Sequence, residues 1–250
     1  MWVVYLRLIV ADDYDDMSRK AASIVAEEVR KNKKLVLGLA TGSTPLGLYR
    51  ELIRMHKEEG LDFSQVKIFN LDEYVGLAPT HDQSYNYFMF HNFFNHINID
   101  KKDVHIPDGK SKDPEAFCRD YERMIDEAGG IGLQILGIGS NGHIAFNEPG
   151  SPADSKTRVV TLSAQTIKDN ARFFRDQNEV PKKSISMGIG TIMKARMIIL
   201  LASGKNKADA IAKTLEGPPT VNVPASLLQK HKDAIIIADK EAASKLTGKY

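Results

Sequence analysis

Short apolar runs alternate with helical segments along this 250-residue chain, and this alternation constrains the fold more than any other feature. Each run has the length and continuous apolar character of a strand buried on both faces. The runs cover residues 35–40, 66–71, 133–138, 197–201 and 234–238, and helical periodicity follows over 46–59, 206–215 and 240–246. This order predicts the α/β class: a single Rossmann-like domain over residues 1–250, whose mostly parallel sheet has helices on both faces.

The segment 162–181 differs from the rest because it carries many charges and shows no strand pattern. We interpret it as a helix with a mobile tail, placed where a helical lid over a site would lie. No repeat, low-complexity tract or linker interrupts the chain, so the lid is expected to belong to the one domain.

Charge and cysteine content restrict the partners and the compartment. The 34 basic residues nearly balance the 32 acidic ones, so neither nucleic acid nor a membrane is expected as a partner. No apolar run is long enough to cross a bilayer, and the apolar start of the chain lacks the features of a signal peptide. Cys118 is the single cysteine, which we interpret as a semi-buried apolar residue, and a reducing cytoplasm is the expected location.

Polar residues follow the predicted strands at their carboxyl ends, where open α/β sheets bind ligands. The first such loop joins a strand to a helix and contains Thr41, Gly42, Ser43 and Thr44. Its exposed N–H groups favour a phosphate, although an ordinary capped turn has the same composition. Lys205, Lys207 and Arg172 are candidates for neutralising the phosphate, or else they are solvated surface charges.

Two adjacent carboxylates, Asp72 and Glu73, follow the strand predicted over 66–71. Successive side chains of an extended segment point to opposite sides, so one carboxylate can face a cleft while the other faces protein. A cleft carboxylate is suited to remove a carbon-bound proton next to a carbonyl. The periodicity does not indicate which of the two faces inward.

The glycine-rich stretch 137–150 is the most informative part of the chain and contains His143 between Asn141 and Glu148. Its spacing and context differ from those of a dinucleotide-binding loop. A histidine with a carboxylate partner can move protons at neutral pH. No second His or Cys stands at metal-ligand spacing, so no metal site is expected.

Taken together, these segments resemble the glucosamine-6-phosphate deaminase family along almost the whole chain. The matching blocks lie at 38–45, 70–77, 142–149, 170–174, 203–208 and 223–226. The most specific are Asp-Glu-Tyr-Val-Gly-Leu at 72–77 and Gly-His-Ile-Ala-Phe-Asn-Glu-Pro at 142–149. Sugar-phosphate lactonases share the fold of this family but look different at both blocks.

The resemblance implies a cofactor-independent conversion of glucosamine 6-phosphate and water to fructose 6-phosphate and ammonia, in amino-sugar catabolism. It implies that Asp72 moves a proton between C2 and C1 through an enolamine, and that His143 assists ring opening while Glu148 holds and tunes it. Some family members carry Asp at position 141 in this relay, whereas Asn141 can orient the imidazole but cannot stabilise imidazolium by charge. The residues implied to hold the 6-phosphate are Thr41, Gly42, Ser43, Thr44, Arg172 and Lys207.

Two other functions stay open at this point. A hydrolase similar to 6-phosphogluconolactonase would use the same fold without needing a base at C2. A non-catalytic sugar-phosphate sensor would normally bring a helix-turn-helix, for which we find no pattern.

Regulation and assembly are expected to be simple. Hexameric members of the family are activated by N-acetylglucosamine 6-phosphate at a site between subunits. Ser151 and Arg158 match residues of that site, but Val160 stands where those members carry a lysine. We therefore expect hyperbolic kinetics, little response to this effector, and a monomer or small homo-oligomer rather than a hexamer.

Overall fold

A computed structural model describes residues 6–171, 174, 176 and 179–248, without the side chains at 165, 169 and 170. Its strands are β1 (Arg7–Ala11), β2 (Val36–Leu39), β3 (Lys67–Asn70), β4 (Asp72–Tyr74), β5 (Val104–His105), β6 (Leu133–Gly137), β7 (Arg158–Thr161), β8 (Lys183–Ser186), β9 (Met197–Ala202) and β10 (Ala234–Asp239). Its α-helices are α1 (Tyr14–Lys31), α2 (Leu46–Glu59), α3 (Tyr85–Asn92), α4 (Pro114–Glu127), α5 (Ala164–Asn170), α6 (Ile189–Ile192) and α7 (Ala208–Leu215). Short 3-10 helices lie at Phe94–His96, Lys101–Asp103, Lys205–Lys207 and Pro224–Lys230.

The large sheet of the described chain has seven strands in the order β1-β10-β9-β6-β2-β3-β5, and every neighbouring pair is parallel. From β2 the chain builds β3 and β5 on one side, then crosses to place β6 on the other side of β2. Loops leave β2 and β6 in opposite directions at this point, which opens a crevice beyond their carboxyl ends. The predicted α/β fold with a mostly parallel sheet is confirmed.

The core occupies both faces of the large sheet, as the continuous apolar strands predict. In β2, Leu37 and Leu39 pack with the helices α1 to α3, while Val36 packs on the opposite face with α4 and α7. Helix α1 forms because Asp13 caps it, its carboxylate accepting a hydrogen bond of 2.8 Å from the N–H of Asp16, and because its apolar residues recur at helical spacing. The face that α1 buries includes Met17, Ala21, Val25 and Val29.

A small antiparallel sheet, β4-β8-β7, lies beside the large one and was not predicted, since its strands have only three or four residues. Leu71 alone separates β3 of the large sheet from β4 of the small sheet. Its N–H donates to the carbonyl of Leu39 at 3.1 Å, and its carbonyl accepts from the N–H of Met187 at 2.7 Å. Leu71 therefore belongs to the hydrogen-bonding pattern of both sheets.

The structure differs from two of the predicted helices. The helix predicted over 206–215 begins with a 3-10 turn, and its α-helical part is α7. The helix predicted over 240–246 is wrong: the segment forms a series of turns, in which Ala243 donates to the carbonyl of Asp239 and Leu246 to that of Ala243.

The predicted lid segment is described in part. Helix α5 accounts for its first half, as predicted, while Arg172 and residues 173, 175, 177 and 178 lie outside the described residues. Among the described helices, none combines the length and apolar character needed to cross a membrane.

Candidate active site

A cleft of about 730 Å³ opens beyond the carboxyl ends of β2, β3, β6 and β9. Its position is the one that the crossover between β2 and β6 predicts. It is lined by Ala40, Thr41, Gly42, Ser43, Thr44, Leu71, Asp72, Tyr85, Gly137, Ile138, Gly139, Ser140, His143, Ala145, Phe146, Thr166, Lys168, Asn206 and Lys207. The structure thus brings together most of the predicted site residues, and it adds Thr166 and Lys168 from helix α5.

The loop 41–44 forms one wall of the cleft and leads into helix α2. Gly42 has a φ of 96°, a conformation that favours glycine. The hydroxyl of Tyr14, from α1, donates to the carbonyl of Ser43 at 2.9 Å and accepts from the N–H of Gly47 at 2.7 Å. Tyr14 therefore fixes the loop against the first turn of α2, a role that no local sequence pattern indicates.

The two lysines that are candidates for binding the phosphate lie in different environments. Lys207 lines the cleft from the 3-10 helix after β9, whereas Lys205 is exposed and does not line it. The loop that carries both is held by Asp239, whose carboxylate accepts hydrogen bonds from the hydroxyl of Ser203 and from the N–H of Gly204 at 3.0 Å. Lys168 of α5 also lines the cleft. The sequence does not single it out, because it is one of many charged residues in the segment 162–181.

The two adjacent carboxylates point in different directions, which answers the question left open by the sequence. Glu73 turns into the protein, where its carboxylate accepts hydrogen bonds from the backbone N–H groups of Tyr74, Tyr85 and Asn86 at 2.8 to 2.9 Å. It thereby anchors the start of helix α3. Asp72 lines the cleft and is only 7% exposed.

The protein environment of Asp72 favours its protonated form. Burial raises the pKa of Asp72 to about 8, and the negative charge of Glu73 adds to the effect. A carboxyl group with a pKa near neutrality can both take up and release a proton at physiological pH. Such a group is suited to move one proton between two neighbouring atoms of a ligand.

His143 is held through its Nδ1 atom, which lies 2.8 Å from the side-chain oxygen of Asn141. The amide nitrogen of Asn141 donates to Glu148 at 2.8 Å, so the amide oxygen faces the imidazole and Nδ1 carries a proton. In the neutral ring Nε2 is then the nitrogen that can accept a proton. Asn141 and Glu148 do not line the cleft themselves; they orient a side chain that does.

Gly139 makes the position of the His143 ring possible. A Cβ atom at Gly139 would lie 2.2 Å from Cε1 of the imidazole, so any side chain there would displace the ring. The glycine-rich composition of the stretch 137–150 therefore permits the ring to pack directly on the backbone.

Glu148 connects His143 to helix α5. One carboxylate oxygen accepts the bond from Asn141 and lies 3.7 Å from Nδ1 of His143. The other accepts hydrogen bonds from the hydroxyls of Ser163, at 3.1 Å, and Thr166. Burial opposes ionisation of Glu148, but the hydrogen bonds from Thr166 and Asn141 and the nearby imidazole outweigh it, so the pKa of Glu148 is lowered.

Other candidates lie away from the cleft. Cys118 is buried, and its burial raises the pKa of the thiol to about 11, so it is poorly suited to act as a nucleophile. Arg158 is half-buried on β7 and donates to the side-chain oxygen of Asn147 at 2.9 Å. Among the described residues, no three His, Cys, Asp or Glu side chains converge as they would around a metal ion.

The fold and the cleft place the chain in the class of open α/β proteins that bind a ligand where the strand order reverses. Comparison with known families narrows this class. The chain belongs to the family of glucosamine-6-phosphate isomerases and 6-phosphogluconolactonases, which it matches over residues 12–237.

Relatives and solved structures point to one branch of this family. The chain is 59% identical to the glucosamine-6-phosphate deaminase of Thermoanaerobacter sp. (strain X514) over 239 residues, which are 96% of this chain and 94% of the relative. It is 54% identical to the deaminase of Clostridium botulinum (strain Kyoto / Type A2) over 96% of this chain and 99% of the relative. It is also similar to the solved structure of a monomeric glucosamine-6-phosphate deaminase, with a TM-score of 0.95 and 46% identity over 96% of this chain and 100% of the other. The 6-phosphogluconolactonase of Trypanosoma cruzi shares the fold, with a TM-score of 0.78 and 24% identity over 99% of each chain.

Proposed function

We propose that the protein is a glucosamine-6-phosphate deaminase, which converts glucosamine 6-phosphate and water to fructose 6-phosphate and ammonia. The observation that carries the proposal is the presence, in one cleft, of the buried Asp72 carboxylate, the oriented His143 and the loop 41–44. The high identity to deaminases over nearly the full chain supports the same reaction.

The phosphate end of the substrate binds at the loop 41–44 in this proposal. Its four residues line the cleft and offer N–H groups and hydroxyls for a phosphate, and Lys207 supplies positive charge from the loop after β9. Arg172, outside the described residues, remains a predicted ligand of the same phosphate. Binding the phosphate fixes the orientation of the sugar and thereby contributes to the rate.

His143 begins the reaction by moving a proton between O1 and the ring oxygen, so that the pyranose opens to an aldehyde. Asn141 keeps the proton on Nδ1, which leaves Nε2 to exchange protons with the sugar. Glu148, whose lowered pKa keeps it ionised, favours the imidazolium that forms when the ring takes up a proton.

Asp72 then carries out the isomerisation. It removes the proton from C2, which gives an enolamine, and returns the proton to C1, which leaves an imine at C2. Water adds to C2, ammonia leaves, and the ketone of fructose 6-phosphate remains. A protonated amino group on the bound sugar brings positive charge into the cleft and favours the ionised form of Asp72, which a base requires.

We further propose that residues 1–250 form one catalytic domain in which 162–181 acts as a lid, since Thr166 and Lys168 of α5 line the cleft.

Neither a metal nor a cofactor takes part in the proposed reaction. The enzyme is expected to act in the cytoplasm as a monomer or small homo-oligomer. Val160 packs beside Tyr74 and Leu162 and brings no positive charge to its position. The expected kinetics are hyperbolic, without an effector.

The test is an assay of ammonia and fructose 6-phosphate released from glucosamine 6-phosphate, with a chelator present. Equal amounts of both products are expected. The alternative, a lactonase, is favoured by the same fold but needs no base at C2. Hydrolysis of 6-phosphogluconolactone without release of ammonia from the amino sugar would overturn the proposal.

A further inference from the structure

The first turn of helix α5 is built around Glu148. Ser163 caps the helix by accepting the N–H of Thr166 at 3.1 Å, and its hydroxyl also lies 3.0 Å from that of Thr166. Both hydroxyls donate to the same oxygen of Glu148. The N-terminal turn of α5 is therefore bonded to the carboxylate of Glu148, which belongs to the loop after β6.

The two oxygens of Glu148 serve different partners. The oxygen that faces away from α5 accepts from Asn141 and lies 3.7 Å from His143 Nδ1. The α5 hydroxyls can therefore affect the imidazole through Glu148 in two ways. Glu148 orients Asn141, which holds the ring, and its negative charge lies near the ring.

We propose that Thr166 and Ser163 are positioning residues for catalysis, which act through Glu148 on the orientation and proton affinity of His143. This inference rests on the proposed function only for its effect on rate. The chain of contacts itself, from α5 to the imidazole, is independent of which sugar phosphate occupies the cleft.

The electrostatic part of the argument follows from the partners of Glu148. Among the described residues, His143 is the titratable group that lies beside Glu148, and the hydrogen-bond partners of this carboxylate, Asn141, Ser163 and Thr166, are neutral. Hydrogen bonds to an ionised carboxylate favour ionisation, so the α5 hydroxyls keep the negative charge beside the imidazole. Removing a hydroxyl should let Glu148 take up a proton at higher pH and let His143 release its proton at lower pH.

The experiment compares Thr166→Val, which keeps the shape of the side chain, with Thr166→Ser, which keeps the hydroxyl. Thr191→Val is a matched control, because Thr191 is buried on α6 and donates to the carboxylate of Glu122 at 2.6 Å. NMR titration of His143 in the protein without substrate and the pH profile of kcat are measured for each variant.

Thr166→Val should move the titration of His143 to lower pH by at least about 0.5 unit, and should lower kcat roughly 10-fold. Thr166→Ser should restore both values, and Thr191→Val should change neither. An unchanged titration in Thr166→Val, or an equal shift in the control, would overturn the inference. If the parent protein releases no ammonia, the proposed function fails, while the titration still decides whether α5 acts on His143.

Discussion

Asp72 and Glu73 are neighbours in β4, yet one carboxylate lines the cleft and the other accepts hydrogen bonds from the N–H of Tyr74 and from two N–H groups at the start of α3. In the proposed function, this difference assigns a catalytic role to Asp72 and a structural role to Glu73. Substitutions at the two positions should therefore have distinct effects.

Asp72→Asn should lower kcat by at least about 10²-fold while KM changes little, because the variant keeps the shape of the side chain but cannot accept the C2 proton. The measurement is steady-state release of fructose 6-phosphate. Glu73→Gln should instead lower the stability by about 1–3 kcal/mol, since buried N–H groups lose a charged acceptor. Wild-type kcat in Asp72→Asn would rule out the isomerisation step as assigned.

The same substitution at Asp72 should increase stability at neutral and higher pH. The folded protein retains a proton on Asp72 up to a pKa of about 8, whereas an ordinary aspartate releases it near 3.8. Between these values the free energy of unfolding of the parent protein falls as the pH rises. Asp72→Asn removes this penalty and should be more stable at pH 8 by at least about 1 kcal/mol, since one pKa unit corresponds to about 1.4 kcal/mol.

Urea denaturation of both proteins across pH 4 to 8 measures this difference, which should shrink towards pH 4. Parallel stability curves would show that burial does not penalise the Asp72 carboxylate. Together with the loss of activity, a gain in stability would show that the base is maintained at a cost to the fold.

Lys207→Ala should raise the KM for glucosamine 6-phosphate by about 10- to 100-fold, because the variant loses the charged hydrogen bond to the phosphate that the proposed function assigns to Lys207. Lys205→Ala is the matched control, since it removes the same charge from the same loop but from an exposed side chain outside the cleft lining. Turnover of unphosphorylated glucosamine should be poor and similar in all three proteins. Equal losses with both sugars would argue against a phosphate site at Lys207.

Asn141→Asp should shift the titration of His143 and the rate profile to higher pH. The new carboxylate would replace a neutral oxygen 2.8 Å from Nδ1, and a negative charge at that distance favours imidazolium. NMR titration of His143 provides the measurement. A downward shift would mean that Asn141 and His143 are not in contact in solution.

The sequence predicts the five central strands of the large sheet and the cleft, because both follow from long apolar runs and from the residues that end strands; it does not predict the edge strands β1 and β5. It places Asp72, His143 and the loop 41–44 at the same edge without any structure. It does not reveal which of Asp72 and Glu73 faces the cleft, because that depends on the pairing of β4 with β8, about 110 residues later. Tyr14 and Thr166 are missed for a similar reason: their hydroxyls matter only because folding brings them to Ser43 and Glu148.

Leu71 fixes the distance between two parts of the cleft. Its bonds to Leu39 and Met187 fix the offset between the end of β2, from which the loop 41–44 departs, and the start of β4, where Asp72 stands. No flexible linker separates the two points, so backbone geometry sets the distance between the loop 41–44 and Asp72, which are the phosphate site and the base in the proposed function. An amino-sugar phosphate shorter by one carbon could reach the loop 41–44 or Asp72, but not both. The enzyme would then select substrates by the length of their carbon chain without a side chain dedicated to this task.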